Sequence, residues 1–557
     1  MASSESQTKQ RLRCIVVGAG VSGILMAYKL QMHLAGYVDF QILEKSSDLG
    51  GTWYENRYPG CACDVPSHIY QYSFAPNPYW TQYYATSKEI QNYLKSVCKR
   101  FSLEKYIEYN SKVVGTTWQE KQGTWKVEVE GKATAESEIL INAGGILNNF
   151  RMPDIAGLSD FDGRLLHTAA WDDSVDLSGK RVAIIGAGAS AVQVLPSIQQ
   201  TCGHVDVYIR TPSWISPPFA RSRDGPINPP YTVQDMQRFR DDSTFSVKTR
   251  KEMENQFNGM FKAFFKSTGE QQDLRAKFES RMKSLINDED LQKRLIPSFE
   301  VGCRRINPGE SYLVALQRSN VQAVFEPIEA VVKEGIRVGG QVRRADVLIA
   351  ATGFDTTFRP RFPIIGREND NLQDLWESNP VSYMGMGVSG FPNYLIFLGP
   401  NTPISNGSLM GALEATSDYF IRILRKVLRE GIRTFDVTKA AQQDFDTHTQ
   451  DFMRQTVWTG SCRSWFKSGP GGKVTALWPG SSLQYMQVLA ENKWENYIWT
   501  YRGNRFDHWG KGMSWIEDPS GDGLGIDESE ALRSRTVPFK GADLSYYIGE
   551  YEPLPED

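Results

Sequence analysis

Short runs of apolar residues alternate with helical patterns in the first part of the chain. Leu12–Val17 is rich in β-branched residues, which is typical of a buried strand, and a helical pattern begins near Ser22. Another strand-like run follows at Asp39–Leu43. This order predicts a βαβ unit, in which the two strands are parallel and the crossover is right-handed.

The same pattern returns later in the chain. A strand is predicted at Arg181–Ile185, a helix through Val192 and a second strand at His204–Ile209. Further strands are predicted at Val321–Phe325 and Val347–Ala350. The pattern therefore predicts an α/β fold with two βαβ units in one chain.

The region from 231 to 296, which interrupts the second group of strands, has only helical spacing. Its apolar residues recur three or four positions apart in two series. Amphipathic helices packed on a core are the simplest interpretation, and a lid over a site is the alternative. The two series are Met253, Phe257, Met260, Phe261 and Phe264, and Leu274, Phe278, Met282 and Leu285.

The two ends of the chain differ from its middle. Residues 1–10 are polar and are predicted to be a disordered leader. A helix is predicted from near Leu413 through Leu424. The stretch from Trp494 to Trp515 is rich in aromatic residues and glycine, and we predict that this tail wraps the surface.

Composition excludes several classes of protein. The chain has 557 residues, 23% of them charged, and its net charge of -3 gives no basic footprint for nucleic acid or an anionic membrane surface. No segment reaches about 18 uninterrupted apolar residues, and residues 1–13 lack the apolar core of a signal peptide. We therefore expect a cytoplasmic protein with no nucleic acid partner and no stable membrane association; the sequence leaves the oligomeric state open.

The cysteines argue against two further classes. Seven cysteines in a chain of this length are an odd and sparse set, so a secreted fold held by disulfides is not expected. Cys61 and Cys63 form a C-x-C motif near His68, but no second pair of ligands follows at the spacing of a zinc site. No metal is expected.

The first glycine-rich turn lies between a predicted strand and helix. Gly18-Ala19-Gly20-Val21-Ser22-Gly23 fits G-x-G-x-x-G, in which Gly18, Gly20 and Gly23 allow a tight turn and let the backbone approach a pyrophosphate. Glu44 ends the following strand, where a carboxylate accepts hydrogen bonds from ribose hydroxyls. The sequence therefore predicts a dinucleotide site here.

The second glycine-rich turn differs in the charge that follows it. Gly186-Ala187-Gly188-Ala189-Ser190-Ala191 fits G-x-G-x-x-A, but the next strand ends in Arg210-Thr211 rather than in an acid. An arginine there favours the 2′-phosphate of NADP, and a solvated strand-end arginine is the alternative. Two such sites fit FAD at the first turn and NADPH at the second. The candidate residues of the second turn are Gly186, Gly188, Ser190 and Ala191.

The residues at 50–53, after the first βαβ unit, distinguish between two classes of flavoprotein. Flavoprotein disulfide reductases have a redox cysteine just after a similar pair of glycines, whereas Trp53 stands there after Gly50-Gly51-Thr52. The chain also contains no C-x-x-C or C-x4-C motif. Dithiol chemistry is therefore not expected.

Two longer motifs resemble the fingerprints of type I Baeyer–Villiger monooxygenases. Gly50-Gly51-x-Trp53, continued by Tyr58-Pro59-Gly60 and Asp64, resembles the first. Phe161-x-Gly163-x-x-x-His167-x-x-x-Trp171-Asp172 resembles the second. Flavin monooxygenases that oxygenate nitrogen or sulfur typically have Tyr and a basic residue where Trp171-Asp172 stand.

The resemblance implies roles for individual residues. Gly302-Cys303-Arg304-Arg305 resembles a segment whose last arginine is catalytic, so Arg305 is the candidate catalytic residue and Asp64, near the flavin, its partner. His167 is expected to be a hydrogen-bonded link between domains rather than an acid or base. The other cofactor-binding residues implied are Thr52, Trp53, Asp64 and Tyr70 at FAD, and Arg210, Thr211, Arg304 and Trp465 at NADPH.

The activity implied is that of an FAD- and NADPH-dependent Baeyer–Villiger monooxygenase. Such an enzyme inserts one oxygen atom from O2 next to a ketone carbonyl through a C4a-peroxyflavin and forms an ester or lactone. A permanently charged guanidinium suits the negative oxygens of this reaction. An N- or S-oxygenase and a non-catalytic dinucleotide sensor are the alternatives.

The resemblance and the pattern together predict two Rossmann-like dinucleotide-binding domains, with a helical insertion in the second. Ala351-Thr352-Gly353 resembles the segment by which flavoproteins with two nucleotide sites return the chain to the FAD domain. The FAD domain is expected at 10–150 and 355–557, the latter including the C-terminal tail. The NADP domain is expected at 151–215 and 301–354, with the helical insertion at 216–300 between its parts.

Overall fold

The computed structural model of the protein describes residues 11–217, 228–468, 472–510 and 512. The leader expected at 1–10 lies outside these residues, as does the part of the tail from 513 onward. Among the described residues, no helix has both the length and the apolar character needed to cross a membrane.

The described residues form the following elements. The strands are β1 (Leu12–Val17), β2 (Val38–Leu43), β3 (Ile107–Glu108), β4 (Val113–Gln119), β5 (Thr124–Val129), β6 (Ala135–Ser137), β7 (Ile139–Asn142), β8 (Arg164–His167), β9 (Arg181–Ile185), β10 (His204–Tyr208), β11 (Ile215–Ser216), β12 (Asn307–Pro308), β13 (Val321–Val324), β14 (Ala330–Val332), β15 (Gly335–Val338), β16 (Gln341–Arg344), β17 (Val347–Ala350), β18 (Ile364–Ile365), β19 (Tyr394–Ile396), β20 (Ile432–Val437) and β21 (Tyr497–Tyr501). The α-helices are α1 (Val21–Leu34), α2 (Thr52–Glu55), α3 (Ser87–Arg100), α4 (Ala189–Ile198), α5 (Val233–Asp241), α6 (Ser243–Gly259), α7 (Gly269–Leu285), α8 (Glu289–Leu295), α9 (Glu310–Ala315), α10 (Leu372–Leu375), α11 (Leu409–Arg429), α12 (Lys439–Met453) and α13 (Ser482–Leu489).

Two parallel sheets, each of five strands, confirm the predicted α/β fold class. The first has the order β19-β7-β1-β2-β3, and the second has the order β13-β10-β9-β17-β8. Every neighbouring pair in both sheets is parallel. Their central strands are almost entirely buried, as expected for sheets that are covered on both faces.

The bounds of these elements differ little from the predicted ones. Strands β1, β9 and β17 match, β2 begins one residue earlier, and β10 and β13 each end one residue earlier. Helix α11 is longer than predicted. It begins after Ser408, whose hydroxyl accepts a hydrogen bond from the Met410 amide, and continues through two basic residues in its last turn.

The helices at the predicted insertion pack against more than one core. Helices α5–α8 lie between β11 and β12, which pair in parallel and bring the two ends of the insertion together. Met253 and Phe257 are buried in the core around the first sheet, whereas Phe278 and Met282 are buried in the core around the second. Most residues of the two apolar series therefore face a core.

The chain crosses between the two sheets at neighbouring points. Phe150 and Phe354 form an isolated antiparallel bridge, and the Asp355 amide donates to the carbonyl oxygen of Asn149 over 2.7 Å. These residues lie at the predicted domain boundaries near 150 and 354. The division into domains itself stays a prediction.

Candidate active site

Two glycines of the first turn are required by backbone packing. Gly18 has a φ of +101°, and a Cβ there would lie 2.8 Å from the carbonyl oxygen of Ala143. A Cβ on Gly23 would lie 1.9 Å from the carbonyl oxygen of Gly18. Any side chain at either position would push the turn away from the sheet or from helix α1.

Gly20, the middle glycine of the first turn, lies close to Gly51. A Cβ on Gly51 would lie 3.0 Å from the Cα of Gly20, and the Gly50 amide donates to the carbonyl oxygen of Ala19 over 3.0 Å. Gly20 caps α1 without a side-chain hydrogen bond, which leaves the helix N-terminus open. Open amides without neighbouring side chains fit a pyrophosphate group.

The Glu44 carboxylate holds the same turn in place. It is 4% exposed, and its oxygens accept hydrogen bonds from the Ala19 amide over 2.7 Å and the Ser46 amide over 2.8 Å. Each carboxylate oxygen has a second lone pair, so Glu44 can also accept from a ribose hydroxyl.

Trp53 and Tyr70 contact each other beside this turn. The indole Nε1 of Trp53 donates to the Tyr70 hydroxyl over 3.3 Å, and the rings meet edge to face with centroids 5.4 Å apart. Burial raises the pKa of Tyr70, so the phenol stays protonated. Thr52 begins the short helix α2 and is exposed.

The second glycine turn repeats the geometry of the first. A Cβ on Gly186 would lie 2.4 Å from the carbonyl oxygen of Ala351, whereas one on Gly188 would meet no atom within 4 Å. Gly188 caps α4 without a side-chain hydrogen bond. Ser190 is half-buried and Ala191 is fully buried in α4. The open N-terminus again fits a phosphate group.

Two arginines lie close together next to this turn. Arg210 follows β10 and is exposed, with Thr211 beside it. Arg304 donates to the carbonyl oxygen of Pro212 over 3.5 Å, and burial and then the charge of Arg210 lower its pKa. Within the described residues, neither arginine forms an ion pair with a carboxylate. Two uncompensated cations at this position fit an anionic group such as a 2′-phosphate.

Arg305 forms a two-point ion pair with Asp64, 241 residues away in sequence. Its Nε donates to one carboxylate oxygen over 2.7 Å, its Nη2 donates to the other over 2.8 Å, and its Nη1 donates to the carbonyl oxygen of Ile404 over 2.7 Å. Burial lowers the pKa of Arg305, but the Asp64 carboxylate outweighs burial and raises it above its ordinary value. The guanidinium is therefore always charged.

The segment around these arginines is bent. Residues 301–304 form a turn and a bend, and the paired residues Asn307–Pro308 follow only later. The two side chains diverge, since Arg304 contacts Pro212 and Arg305 contacts Asp64. A bend at Gly302, which has a φ of +87°, precedes the two arginines and lets their side chains reach different sites.

A cleft opens beside the Arg305 guanidinium. One wall comes from the helical insertion, another from the 403–409 segment and a third from the loop after Thr459. Apolar side chains line one part of the cleft and polar or charged ones another, which suits a mainly apolar substrate with one polar group. The lining residues are Asp64, Val65, Phe257, Met260, Phe264, Gly302, Arg304, Arg305, Ile306, Ser405, Asn406, Gly407 and Phe466.

The loop after Thr459 contributes Phe466 to the cleft, while the role predicted for Trp465 at NADPH stays a prediction. Trp465 is half-buried and meets Phe466 edge to face at 4.9 Å, but Phe466 is the member of this pair that lines the cleft. Phe466 was not predicted from the sequence. The only indication was its position next to Trp465, since adjacent side chains point in different directions. The Ile404 carbonyl oxygen was not predicted either, since no side-chain pattern exists for it.

The fingerprint loop packs directly on the second nucleotide unit. A Cβ on Gly60 would lie 2.1 Å from Ser197 Oγ in α4. The Tyr58 hydroxyl donates to Gln193 Oε1 over 2.7 Å, and Gln193 Nε2 donates to the carbonyl oxygen of Ala62 over 2.8 Å. This close contact brings Asp64 within reach of Arg305.

His167 lies where the chain crosses between the sheets. Its Nδ1 accepts from the Ala169 amide over 3.0 Å, its Nε2 lies 3.4 Å from Thr352 Oγ1, and its ring stacks on Phe150. Burial lowers the pKa of His167 to about 4. A neutral imidazole in these contacts suits a structural link between domains.

We expect replacement of Cys61 and Cys63 by serine to leave flavin reduction by NADPH essentially intact. Both thiols are free and buried, and burial raises the pKa of Cys61 to about 11 and that of Cys63 well above its ordinary value. Neither is a reactive thiolate near neutral pH. Anaerobic stopped-flow reduction of the FAD-loaded double variant tests this, and loss of reduction would reveal a redox cysteine.

Sequence comparisons agree with the geometry of the site. The family described as flavin-binding monooxygenase-like matches residues 11–335. The chain is 40% identical over 527 residues to the FAD-binding monooxygenase stcW of Emericella nidulans, covering 92% of this chain and 87% of that protein. It is 34% identical over 491 residues to a Baeyer–Villiger monooxygenase of Streptomyces coelicolor, covering 87% and 92%.

Solved structures show the same fold. The cyclohexanone monooxygenase from Rhodococcus sp. Phi1, solved bound to NADP+, superimposes with a TM-score of 0.77 at 26% identity, covering 88% of this chain and 100% of that one. The chain is thus a flavin-dependent monooxygenase. It belongs to the flavin-binding monooxygenase-like family and, within that family, to the type I Baeyer–Villiger group.

Proposed function

We propose that the protein is an FAD- and NADPH-dependent Baeyer–Villiger monooxygenase that inserts one oxygen atom from O2 next to a ketone carbonyl and forms an ester or lactone. The observation that carries this proposal is Arg305, which Asp64 holds at the edge of a partly apolar cleft while the neighbouring Arg304 contacts the second nucleotide unit.

The two glycine turns supply the proposed cofactor sites. FAD would lie along Gly18–Gly23 and Gly51, with Glu44 at its ribose and Trp53 and Tyr70 nearby. NADPH would lie along Gly186–Ala191, with its 2′-phosphate at Arg210, Thr211 and Arg304. The bridge between Phe150 and Phe354 supports an FAD domain at 10–150 and 355–557 and an NADP domain between them.

The Arg305 guanidinium has N–H groups that can donate hydrogen bonds to the substrate. A guanidinium carries five N–H groups, and three of them are used by Asp64 and Ile404, which leaves two. When bound and reduced by NADPH, the flavin activates O2 and supplies the inserted oxygen atom. The free N–H groups would stabilise negative charge that develops on the ketone oxygen.

The apolar part of the cleft would exclude water from this chemistry. Phe257 and Phe264, from the helices between β11 and β12, line the cleft together with Phe466 from the loop after Thr459. In a site with little water, the charge of Arg305 acts more strongly than it would in solution. The half-buried carboxylate partner keeps the guanidinium in one orientation.

Product analysis with a ketone panel and a thioether probe tests this function. The purified protein should be yellow, oxidise NADPH and convert at least one ketone to a product heavier by one oxygen atom, with little hydrogen peroxide released. Oxygenation of the thioether with no ester from any ketone would favour the N- or S-oxygenase instead. A colourless protein that leaves NADPH unchanged would contradict both.

A further inference from the structure

Cys303 and Cys462 form a disulfide at the cleft. The two residues are 159 positions apart, and their Cα atoms are separated by 6.2 Å. Both are almost completely buried, at 0% and 3% exposure. Cys303 directly precedes Arg304 and Arg305, and Cys462 lies two residues before Ser464. The remaining cysteines, Cys14, Cys61, Cys63, Cys98 and Cys202, are free.

Noncovalent contacts hold the loop that contains Cys462 before and after that residue, since the Phe466 carbonyl oxygen accepts hydrogen bonds from the Thr475 and Ala476 amides. Trp458 packs on Phe264 with ring centroids 5.6 Å apart, and Lys266 Nζ donates to Thr459 Oγ1 over 2.7 Å. In the described part of the chain, no hydrogen bond or ion pair joins residues 302–306 to residues 461–465. The disulfide is therefore the strong connection between the arginine segment and this part of the loop.

We propose that the Cys303–Cys462 disulfide is a positioning element of the active site, which rests on the function proposed above. It ties the Gly302–Arg305 bend to the segment around Cys462. Opening the disulfide would release this bend, so that the Arg305 guanidinium is held less firmly at the cleft. Cys303 and Cys462 are thus positioning residues that act through Arg305.

The bond also responds to redox conditions. Two thiols and one molecule of hydrogen peroxide yield the disulfide and two molecules of water, so the sulfurs lose two electrons and the peroxide gains them. Thiol–disulfide exchange with a dithiol reverses the step and leaves the dithiol as a cyclic disulfide. Hydrogen peroxide is what a flavin monooxygenase releases when oxygen activation is not coupled to substrate, so uncoupled turnover would itself restore the bond.

Thiol titration in denaturant tests the bond without any activity assay. After treatment with one equivalent of hydrogen peroxide, the protein should show five thiols, and after reduction by a phosphine it should show seven, since the disulfide accounts for two of the seven cysteines. Peptide mapping should then find the 303 and 462 peptides joined only in the oxidised sample. Seven thiols in both samples would overturn the proposal.

A coupling assay tests the positioning role. Reduction of the wild-type protein should raise the hydrogen peroxide formed per NADPH at least twofold and lower the ester yield correspondingly, while anaerobic flavin reduction keeps its rate. The Cys303→Ser/Cys462→Ser variant should behave like the reduced protein with or without the phosphine. Cys202→Ser, which removes a buried free thiol elsewhere, is the matched control and should respond like the wild type.

The two proposals fail in different ways. If reduction changes the thiol count from five to seven but leaves the ratio of peroxide to NADPH unchanged, the positioning role is wrong and the monooxygenase function stands. If no ketone yields ester but reduction still raises peroxide formation, the proposed reaction is wrong and the positioning role stands. The wild-type comparison requires no variant, so misfolding of the double variant would not decide the outcome.

Discussion

Replacing Arg305 by alanine should lower the rate of ester formation by about two to three orders of magnitude, which is the usual cost of removing one donor to developing charge. The guanidinium lies beside the cleft, is always charged and has two unused N–H groups. FAD binding and anaerobic reduction by NADPH should persist, since neither glycine turn contacts Arg305. Stopped-flow reduction and product analysis on one sample measure both effects.

Two further variants make this test specific. Asp64→Ala should give a milder loss, because the guanidinium stays but loses the carboxylate that orients it. Arg454→Ala removes an arginine whose side chain is 79% exposed and should leave every rate unchanged. An Arg305→Ala enzyme that made ester at nearly the wild-type rate would show that Arg305 is not catalytic.

Replacing Arg210 by alanine should raise the KM for NADPH by about one to two orders of magnitude and leave the KM for NADH nearly unchanged. A hydrogen bond to a charged group contributes about 1.5–3 kcal/mol, and this range corresponds to that change in affinity. The physical reason is that Arg210 and Arg304 lie together without a carboxylate among the described residues to neutralise them. Steady-state kinetics with both cofactors measures the difference.

The control for Arg210 is Arg318, another exposed arginine, which lies shortly after helix α9. Arg318→Ala should leave both KM values as they are. Equal losses with NADPH and NADH in the Arg210 variant would mean that Arg210 supports the fold. The preference for NADP would then depend on Arg304 and Thr211.

The strands and the glycine turns could be predicted from local sequence because interactions between neighbouring residues form them. The β-branched run Leu12–Val17 and the apolar run Arg181–Ile185 are strands with the predicted bounds. Gly18 and Gly186 stand where positive φ values and close carbonyl oxygens leave no room for a Cβ. Such features depend on a few neighbouring residues, on the steric limits of φ and ψ, and on the freedom of glycine from those limits. They can therefore be predicted without knowing which distant residues they contact.

Motifs identified Arg305 and Asp64 as candidates but could not describe their surroundings. The resemblance suggested that the two residues are partners, whereas the two-point pairing and the third bond to the Ile404 carbonyl became visible only in the fold. The resemblance also pointed to Trp465 in the loop after Thr459, whereas the position of Phe466 in the cleft became visible only in the fold. Which of two adjacent side chains faces a cavity depends on the loop path, and that path depends on distant contacts.

By itself, the sequence determined the α/β class, the two glycine turns and the residues that carry charge near them. The tertiary structure alone decided that a bend at Gly302 separates Arg304 from Arg305, that three distant segments enclose one cleft, and that Cys303 meets Cys462. The physical reason is the difference in range between these interactions. Turns and strands follow from neighbours along the chain, whereas the active site depends on contacts across 241 and 159 residues, which only the folded chain brings together.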